Sequence, residues 1–217
     1  MLKSYHPESY WSAVATRIKA RSGKNVVAGD DEPYYRYKRD KFLKMLSSVD
    51  FKDKSVLEVG CGPGGNLEFI AQLMPKKLVG ADISAEMVAL AKSNLSSKKV
   101  EIFKTNGTSL PFESHAFDLV LTATVLQHNT DEKMLATLLA DICRVSAQEI
   151  FLFEKIDNTI KGDELCMARP VEYYQQLASK HGFELQEVRF MNIYVSYLVA
   201  GVIRKILNRK NSKRENH

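Results

Sequence analysis

Residues 56–66, VLEVGCGPGGN, decide the fold of this 217-residue chain. The apolar residues at the start are typical of a buried strand, and the glycines that follow predict a tight turn into a helix. A carboxylate, Glu58, interrupts the apolar run two residues before the first glycine. Burying an unpaired charge costs on the order of several kcal/mol. Glu58 therefore indicates that this strand end faces a cation or a set of hydrogen-bond donors.

Strands and helices alternate after this turn. The predicted strands are residues 55–60, 77–83, 100–106, 117–125 and 149–156, and the predicted helices are residues 66–74, 84–95, 130–145 and 170–182. This alternation predicts an α/β fold with a doubly wound, Rossmann-like sheet flanked by helices. Residues 183–190 and 195–205 are predicted to add two strands, which gives seven in one sheet, mostly parallel with an antiparallel last strand.

The net charge of +5 belongs to the end of the chain. Residues 204–217 contain six Lys or Arg and one Glu, so the remainder is close to neutral and does not favour a nucleic-acid-binding core. The three cysteines are far apart and form no C-x-x-C pair, which predicts neither a disulfide framework nor a metal site. Together with an N-terminus that lacks an apolar signal core, this pattern predicts a cytoplasmic protein.

Three segments are predicted. Residues 1–54 form an N-terminal helical lid or substrate segment, residues 55–204 form the main domain, and residues 205–217 form a basic tail. The tail is compatible with a frayed soluble terminus or with weak contact to an anionic membrane surface.

Two cofactors compete for the glycine turn. Gly60, Gly62 and Gly65 satisfy the dinucleotide pattern G-x-G-x-x-G, and Asp82 lies where an NAD ribose requires an acid. Glu58 argues against NAD, because dinucleotide folds normally carry an apolar residue at that strand position. S-adenosylmethionine (SAM), which carries a sulfonium and an ammonium, suits a carboxylate there.

The sequence resembles the class I SAM-dependent methyltransferases, of the small-molecule type often called type 11 or 12. Four motifs of that family occur in order: E-x-G-x-G-x-G at residues 58–64, the strand-ending acid in VGADIS at 79–84, TNGTSLPF at 105–112, and FDLV at 117–120. Each motif alone is weak, and together they are specific.

The resemblance implies a set of SAM-binding residues. Asp82 is expected to accept the ribose hydroxyls, and Asn106, where the family commonly has Asp, to accept the adenine amino group. Ile83 and Met87 are expected to pack on the adenine. The full implied set is Arg36, Glu58, Gly60, Cys61, Gly62, Gly64, Asp82, Ile83, Met87, Asn106, Gly107 and Thr108, with Cys61 a small filler of the turn and Arg36 part of a lid formed by residues 31–40.

His128 and Glu154 follow the fourth and fifth predicted strands and are the candidate catalytic groups, because methylation of a hydroxyl requires a base. The short segment after the fifth strand favours a small-molecule or saccharide-type acceptor that is exposed at one end. Two alternatives stay open. An RNA methyltransferase is disfavoured by TATV at residues 122–125, where base-modifying enzymes carry N/D-P-P-Y/F, and a non-catalytic SAM-binding protein would share the same turn. The sequence indicates neither the acceptor nor the oligomeric state.

Overall fold

The structure, a computed structural model, describes residues 6–20 and 33–191, without the side chains of residues 33–36. Residues 6–20 and 51–186 belong to one compact unit, and residues 33–50 and 187–191 belong to a second. The basic tail, the predicted strand at 195–205 and residues 31–32 of the predicted lid lie outside the described residues.

The first unit is built on a five-stranded parallel sheet with the order β3-β2-β1-β4-β5. The strands are β1 Ser55–Val59, β2 Lys77–Asp82, β3 Glu101–Lys104, β4 Phe117–Ala123 and β5 Ser146–Phe153. A separate antiparallel pair, β6 Lys161–Gly162 and β7 Met167–Ala168, follows β5. Because the strands are parallel, the residues that follow them meet at one edge of the sheet.

Helices cover both faces of the sheet. They are α1 Pro7–Lys19, α3 Gly65–Ile70, α4 Ala85–Asn94, α5 Glu132–Val145 and α6 Val171–Ser179, with short 3-10 turns at Ala71–Leu73 and Leu126–His128. Leu57 and Val59 alternate along β1 and share a core cluster with residues of α5 and α6. Gly80 of β2 faces Leu67 of α3 on the other side. The doubly wound α/β arrangement is therefore confirmed.

In the second unit, α2 spans Pro33–Leu46. From the sequence, residues 24–40, rich in Tyr and charge, predict a loop, and the apolar spacing in residues 39–50 predicts a helix. The structure instead begins the helix at Pro33, so the loop prediction is wrong for residues 33–38. A proline is well tolerated in the first turn of a helix, where its missing N–H has no intrahelical partner. In the same unit, the Arg189 guanidinium donates to Glu187 and to the Ser48 hydroxyl.

The prediction of seven strands in one sheet is also wrong. Residues 183–190 alternate apolar and polar side chains but form no strand, and Leu185, Val188 and Phe190 are exposed. Alternation specifies a strand only where a neighbouring strand pairs with its backbone. No helix within 6–20 and 33–191 combines the length and hydropathy needed to cross a membrane.

Candidate active site

The glycine turn closes over the end of β2. The backbone N–H groups of Gly60 and Cys61 donate to the carbonyl oxygen of Ala81, at 2.7 and 3.1 Å. Gly60 has a φ of +74°, and a Cβ added to it would lie 2.2 Å from Cγ2 of Val125. The turn therefore requires glycine both for its backbone conformation and for its contact with the segment that follows β4.

Glu58, which singled out this turn in the sequence, is buried at the end of β1. Its side chain is 1% exposed, and Oε1 accepts a 2.7 Å hydrogen bond from Nδ2 of Asn66 in the first turn of α3. Glu58 thus ties the strand before the glycine turn to the helix after it. The sequence analysis did not single out Asn66, although it lies eight residues after Glu58 and one residue after the last glycine.

Asp82 ends β2 beside the glycine turn. Its Oδ2 accepts from the N–H of Gly62 at 2.8 Å, and its Oδ1 accepts from the N–H of Ser84 at 2.9 Å. Burial raises the pKa of the Asp82 carboxyl, while these two N–H groups act in the opposite direction. Each carboxylate oxygen has a second acceptor position, so the geometry leaves Asp82 able to accept two further donors.

Cys61, in the same turn, is buried, and burial raises the pKa of its thiol well above the ordinary value. The group is therefore a neutral thiol that fills space. Its sulfur would lie 2.9 Å from a Cβ at Gly80, which makes the side chain part of the packing under the turn.

The loop after β3 brings Asn106, Gly107 and Thr108 to the edge where Ile83 lies. Gly107 has a φ of +85°, and its position would place a Cβ 2.7 Å from Cδ1 of Ile83. Oδ1 of Asn106 accepts from the N–H groups of Thr108 and Ser109, at 3.0 and 2.8 Å. Asn106 thus closes its own loop, and a contact of this oxygen with adenine requires one of these hydrogen bonds to open.

Met87 lies in the first turn of α4 and is 1% exposed. It packs in a small core with Val14, Ala15 and Ile18 of α1. The structure therefore places the Met87 side chain between α1 and α4, and its contact with adenine stays a prediction.

Helix α1 is fastened to the N-terminus of α4. The Ser12 hydroxyl donates to Oε2 of Glu86 at 2.5 Å and lies 3.1 Å from the hydroxyl of Ser84, which caps α4 by accepting from the N–H of Met87. The hydrogen bond from Ser12 is the main cause that lowers the pKa of Glu86. Because Ser84 also binds Asp82, α1 lies directly beside the predicted ribose site.

Glu154 follows β5 and holds the segment that follows β4. Oε1 accepts from the Thr122 hydroxyl at 2.9 Å and from the N–H of Val125 at 3.1 Å, while Oε2 accepts from the N–H of Gln127 at 3.0 Å. Burial is the largest cause of a raised pKa at this carboxyl. Both oxygens are thus turned toward the backbone of this segment.

His128 lies in the same segment, and its hydrogen bonds define its protonation. Nδ1 is 2.8 Å from the carbonyl oxygen of Leu165, which only accepts, so Nδ1 carries the proton. Oε1 of Gln127 accepts from the N–H of Lys155 at 2.9 Å, which turns Nε2 of Gln127 toward Nε2 of His128 at 3.2 Å. Both contacts assign a neutral imidazole whose Nε2 carries the lone pair.

Trp11 of α1 completes this side of the site. Its ring lies edge-to-face on the His128 imidazole, with centroids 5.1 Å apart, and edge-to-face on Tyr10, at 5.2 Å. Helix α1 therefore contacts both the α4 end beside Asp82 and the segment that carries His128.

Of the predicted site residues, the structure brings together the glycine turn, Asp82, Ile83 and the loop at Gly107. It places His128 on the neighbouring segment after β4, and Glu154, which follows β5, binds that segment. Arg36 lies in α2, and its side chain is outside the described part of the chain. The sequence analysis missed Ser12, Gln127 and Arg169. The position of Gln127 beside His128 was the available signal; Ser12 and Arg169 act on partners far away in the sequence. No group of three metal-ligating side chains is assembled in the described ranges.

The sequence model of a family described as "Methyltransferase domain" matches residues 56–149, which run from the glycine turn to β5. Among curated proteins, the chain is 28% identical over 111 residues to norajmaline N-methyltransferase of Rauvolfia serpentina, covering 49% of this chain and 37% of that protein. It is 26% identical over 140 residues to a probable chloroplastic tocopherol O-methyltransferase of Oryza sativa subsp. japonica, covering 60% and 39%. The matches thus span well under half the length of these relatives.

Among solved structures, the fold is similar to magnesium protoporphyrin IX methyltransferase from Synechocystis PCC 6803, a structure with bound S-adenosylhomocysteine. The TM-score is 0.66 at 15% identity, and the match covers 85% of this chain and 91% of that one. The family match covers the predicted cofactor turn, and the structural match covers the sheet and helices around it. Residues 56–149 are therefore similar to a methyltransferase domain, and the fold is similar to that of a methyltransferase with bound S-adenosylhomocysteine.

Proposed function

We propose that this protein transfers the methyl group of SAM to an oxygen or nitrogen atom of a small-molecule or saccharide-type acceptor, with a hydroxyl as the favoured acceptor group. The observation that carries the proposal is the joint position of two sites at one sheet edge. One is the glycine turn with Asp82, and the other is the neutral His128. The contact between Gly60 and Val125 joins the two.

The residues at the first site fit SAM. Asp82 has acceptor positions for two ribose hydroxyls, the glycine turn allows close approach of the methionine part, and Ile83 offers an apolar surface to adenine. When bound, SAM supplies a methyl group already activated by the adjacent sulfonium. The chain then has to position the acceptor, exclude water and take up a proton.

His128 is suited to take up that proton. Its Nε2 lone pair now accepts from Gln127, and an acceptor hydroxyl that replaces the Gln127 amide would meet the same lone pair. A hydroxyl loses its proton to the base as the new C–O bond forms, whereas an amine needs only to be neutral before attack. A neutral imidazole with its Nδ1 proton held by Leu165 therefore favours O-methylation.

Glu154 takes a different role in this proposal. Its two carboxylate oxygens accept three hydrogen bonds from the segment at residues 122–127, so it shapes the site and does not carry a proton to or from the acceptor. Trp11 forms a wall of the acceptor site through its contact with His128. The curated relatives include an N- and a probable O-methyltransferase, which is consistent with either acceptor atom.

A transfer assay tests the proposal. Purified protein is incubated with SAM that carries a labelled methyl group and with host extract separated into small-molecule, lipid, glycan, protein and nucleic-acid fractions. We expect label in the small-molecule or glycan fraction. Label confined to nucleic acid, or SAM binding without transfer to any fraction, would contradict the proposal.

A histidine pair tests the role of His128. His128→Asn removes the base, and His115→Asn is the matched control, because His115 also holds a backbone carbonyl through Nδ1, at 3.1 Å from Ser146, in a different part of the unit. We expect transfer to fall by about 100-fold or more in the first variant, as for a general base. Equal activity in the two variants would contradict this role.

The tail and the location are separate proposals. We propose a cytoplasmic protein whose basic residues 205–217 make at most weak contact with anionic lipid. Binding to vesicles of phosphatidylserine and phosphatidylcholine, compared between the full chain and a chain ending at residue 204, tests this contact. Unchanged binding after truncation would remove it.

A further inference from the structure

Among the residues that the structure describes, Arg169 is the one arginine with a fully buried side chain, and its guanidinium is directed at the backbone around His128. NH1 donates to the carbonyl of Leu126 at 3.2 Å, and NH2 donates to the carbonyl of Asn129 at 2.9 Å. These two carbonyls flank residues 127 and 128 on either side. One side chain therefore fixes both ends of the turn that carries Gln127 and His128.

The guanidinium is itself held by α5 and α6. Its Nε and NH2 donate to Oε1 of Glu132, at 3.1 and 2.8 Å, and its plane lies over the ring of Tyr173, 5.5 Å from the centroid. The Tyr173 hydroxyl donates to Oε2 of Glu132. Glu132 is half-exposed, so this ion pair adds little stability, but these contacts together fix the position of the guanidinium.

The same turn is held from its other side by Glu154, whose carboxylate accepts from the N–H groups of Val125 and Gln127. The N–H groups are thus bound by a carboxylate and the carbonyls by a guanidinium. These charges suit their partners, and hydrogen bonds that involve a charged group are the stronger kind. The turn has no regular sheet or long helix of its own to fix it, since only residues 126–128 form a 3-10 turn.

We propose that Arg169 is a positioning residue that presents Gln127 and His128 to the methyl acceptor and thereby fixes the tautomer of His128. The inference rests on the proposed function for its link to methyl transfer. The steps are geometric. Arg169 holds the carbonyls of residues 126 and 129, the turn places Nδ1 of His128 on the carbonyl of Leu165, and that contact leaves the lone pair on Nε2.

The geometry requires arginine. The planar guanidinium of Arg169 has several donors in fixed directions, and it binds one carboxylate and two carbonyls at once. A lysine at this position keeps the charge but offers a single ammonium on a flexible stem. Arg169→Lys therefore releases at least one end of the turn while it leaves the charge of the site unchanged.

Arg144 offers a matched control. Its guanidinium also binds one carboxylate, that of Asp141, and two backbone carbonyls, those of Leu110 and Phe112. The two carbonyls lie in a different loop, between β3 and β4, and Asp141 lies in α5. Arg144→Lys therefore removes the same type of fork without touching the turn at His128.

The experiment is nitrogen NMR of the full chain labelled with ¹⁵N in histidine, with the His128 signals assigned by their loss in His128→Asn. In the wild type and in Arg144→Lys, we expect a single tautomer with the proton on Nδ1. In Arg169→Lys, we expect loss of that single tautomer, and a fall in methyl transfer of about 100-fold, the effect of misplacing a reacting group by about 1 Å. The affinity for SAM should stay close to that of the wild type.

The outcomes are distinguishable. An unchanged His128 tautomer in Arg169→Lys overturns the inference, whatever the activity. Loss of the tautomer in Arg169→Lys, together with a wild type that transfers no methyl group, supports the positioning role and overturns the proposed function instead. If Arg169→Lys does not fold, Glu132→Gln weakens the same guanidinium from its half-exposed partner. A partial loss of the tautomer there supports the inference, and a spectrum identical to wild type overturns it.

Discussion

Substituting Gly60 by alanine tests the contact between the glycine turn and the segment after β4. A Cβ at this position would lie 2.2 Å from Cγ2 and 3.2 Å from Cγ1 of Val125, in a residue whose φ is +74°. The first term is a clash that forces the turn and the segment apart. The second is backbone strain, which any side chain meets in the left-handed region.

The two terms can be estimated separately. The left-handed backbone costs a non-glycine residue about 1–2 kcal/mol. Forcing a methyl group into filled space costs about 1–3 kcal/mol. We therefore expect Gly60→Ala to lower the free energy of unfolding by about 2–5 kcal/mol.

Two further variants separate these terms. Gly182 has a φ of +84° and no atom within 4 Å of an added Cβ, so Gly182→Ala reports the backbone strain alone, about 1–2 kcal/mol. Val125→Ala removes Cγ1 and Cγ2. In the double variant with Gly60→Ala we expect this change to relieve the clash, so that the free energies of unfolding show a favourable coupling of about 1–3 kcal/mol.

Urea unfolding followed by circular dichroism measures the free energy of unfolding of the wild type, the three single variants and the double variant. Calorimetry measures how each change alters the affinity for SAM. The strained backbone should remain in the double variant even after the clash is gone. A cost for Gly60→Ala no larger than that for Gly182→Ala, or strict additivity with Val125→Ala, would refute the contact.

Three other changes follow from the same structure. Asp82→Asn should weaken SAM binding by about 100-fold, or about 3 kcal/mol, since it removes the charge from two hydrogen bonds to ligand hydroxyls; calorimetry measures it, and an unchanged affinity would exclude Asp82 from the site. Glu154→Gln should become more stable relative to wild type as the pH rises above about 4.5. The raised pKa of the Glu154 carboxyl stabilises the wild type below the unfolded pKa, and this contribution is lost as the pH rises through the folded pKa. A stability difference that does not depend on pH would contradict this sign. Ser12→Ala should speed amide hydrogen exchange in α1 by about fivefold, as expected for loss of about 1 kcal/mol, and unchanged protection would show that the Ser12 contacts do not hold the helix.

The sheet was predictable because its signals are local. The glycine turn and the apolar runs placed β1 to β4 within a few residues of their ends. The last strands were not predictable in the same way. Residues 183–190 have the right alternation, but a strand also depends on a partner that the pattern does not name.

In the candidate site, too, residues within a local motif were predictable and residues positioned by distant contacts were not. Asp82 and the glycines follow from a motif, since a short turn at a strand end fixes their positions relative to one another. The contacts that position His128 do not follow from a motif. Their partners, residues 165 and 169, are about forty residues away in the sequence and reach this segment only through the folded hairpin of β6 and β7. The role of Glu154 likewise became visible only when its hydrogen bonds to the backbone of residues 125 and 127 were known.

One measurement tests the central claim most directly. The protein is incubated with SAM carrying a trideuteriomethyl group and with the small-molecule and glycan fractions of host extract, and mass spectrometry follows S-adenosylhomocysteine together with any product that has gained the labelled group. The account predicts that both appear in equal amounts with the wild type and that both are strongly reduced with Asp82→Asn. Binding of SAM without either product, in every fraction, would contradict the proposal that this protein is a methyltransferase.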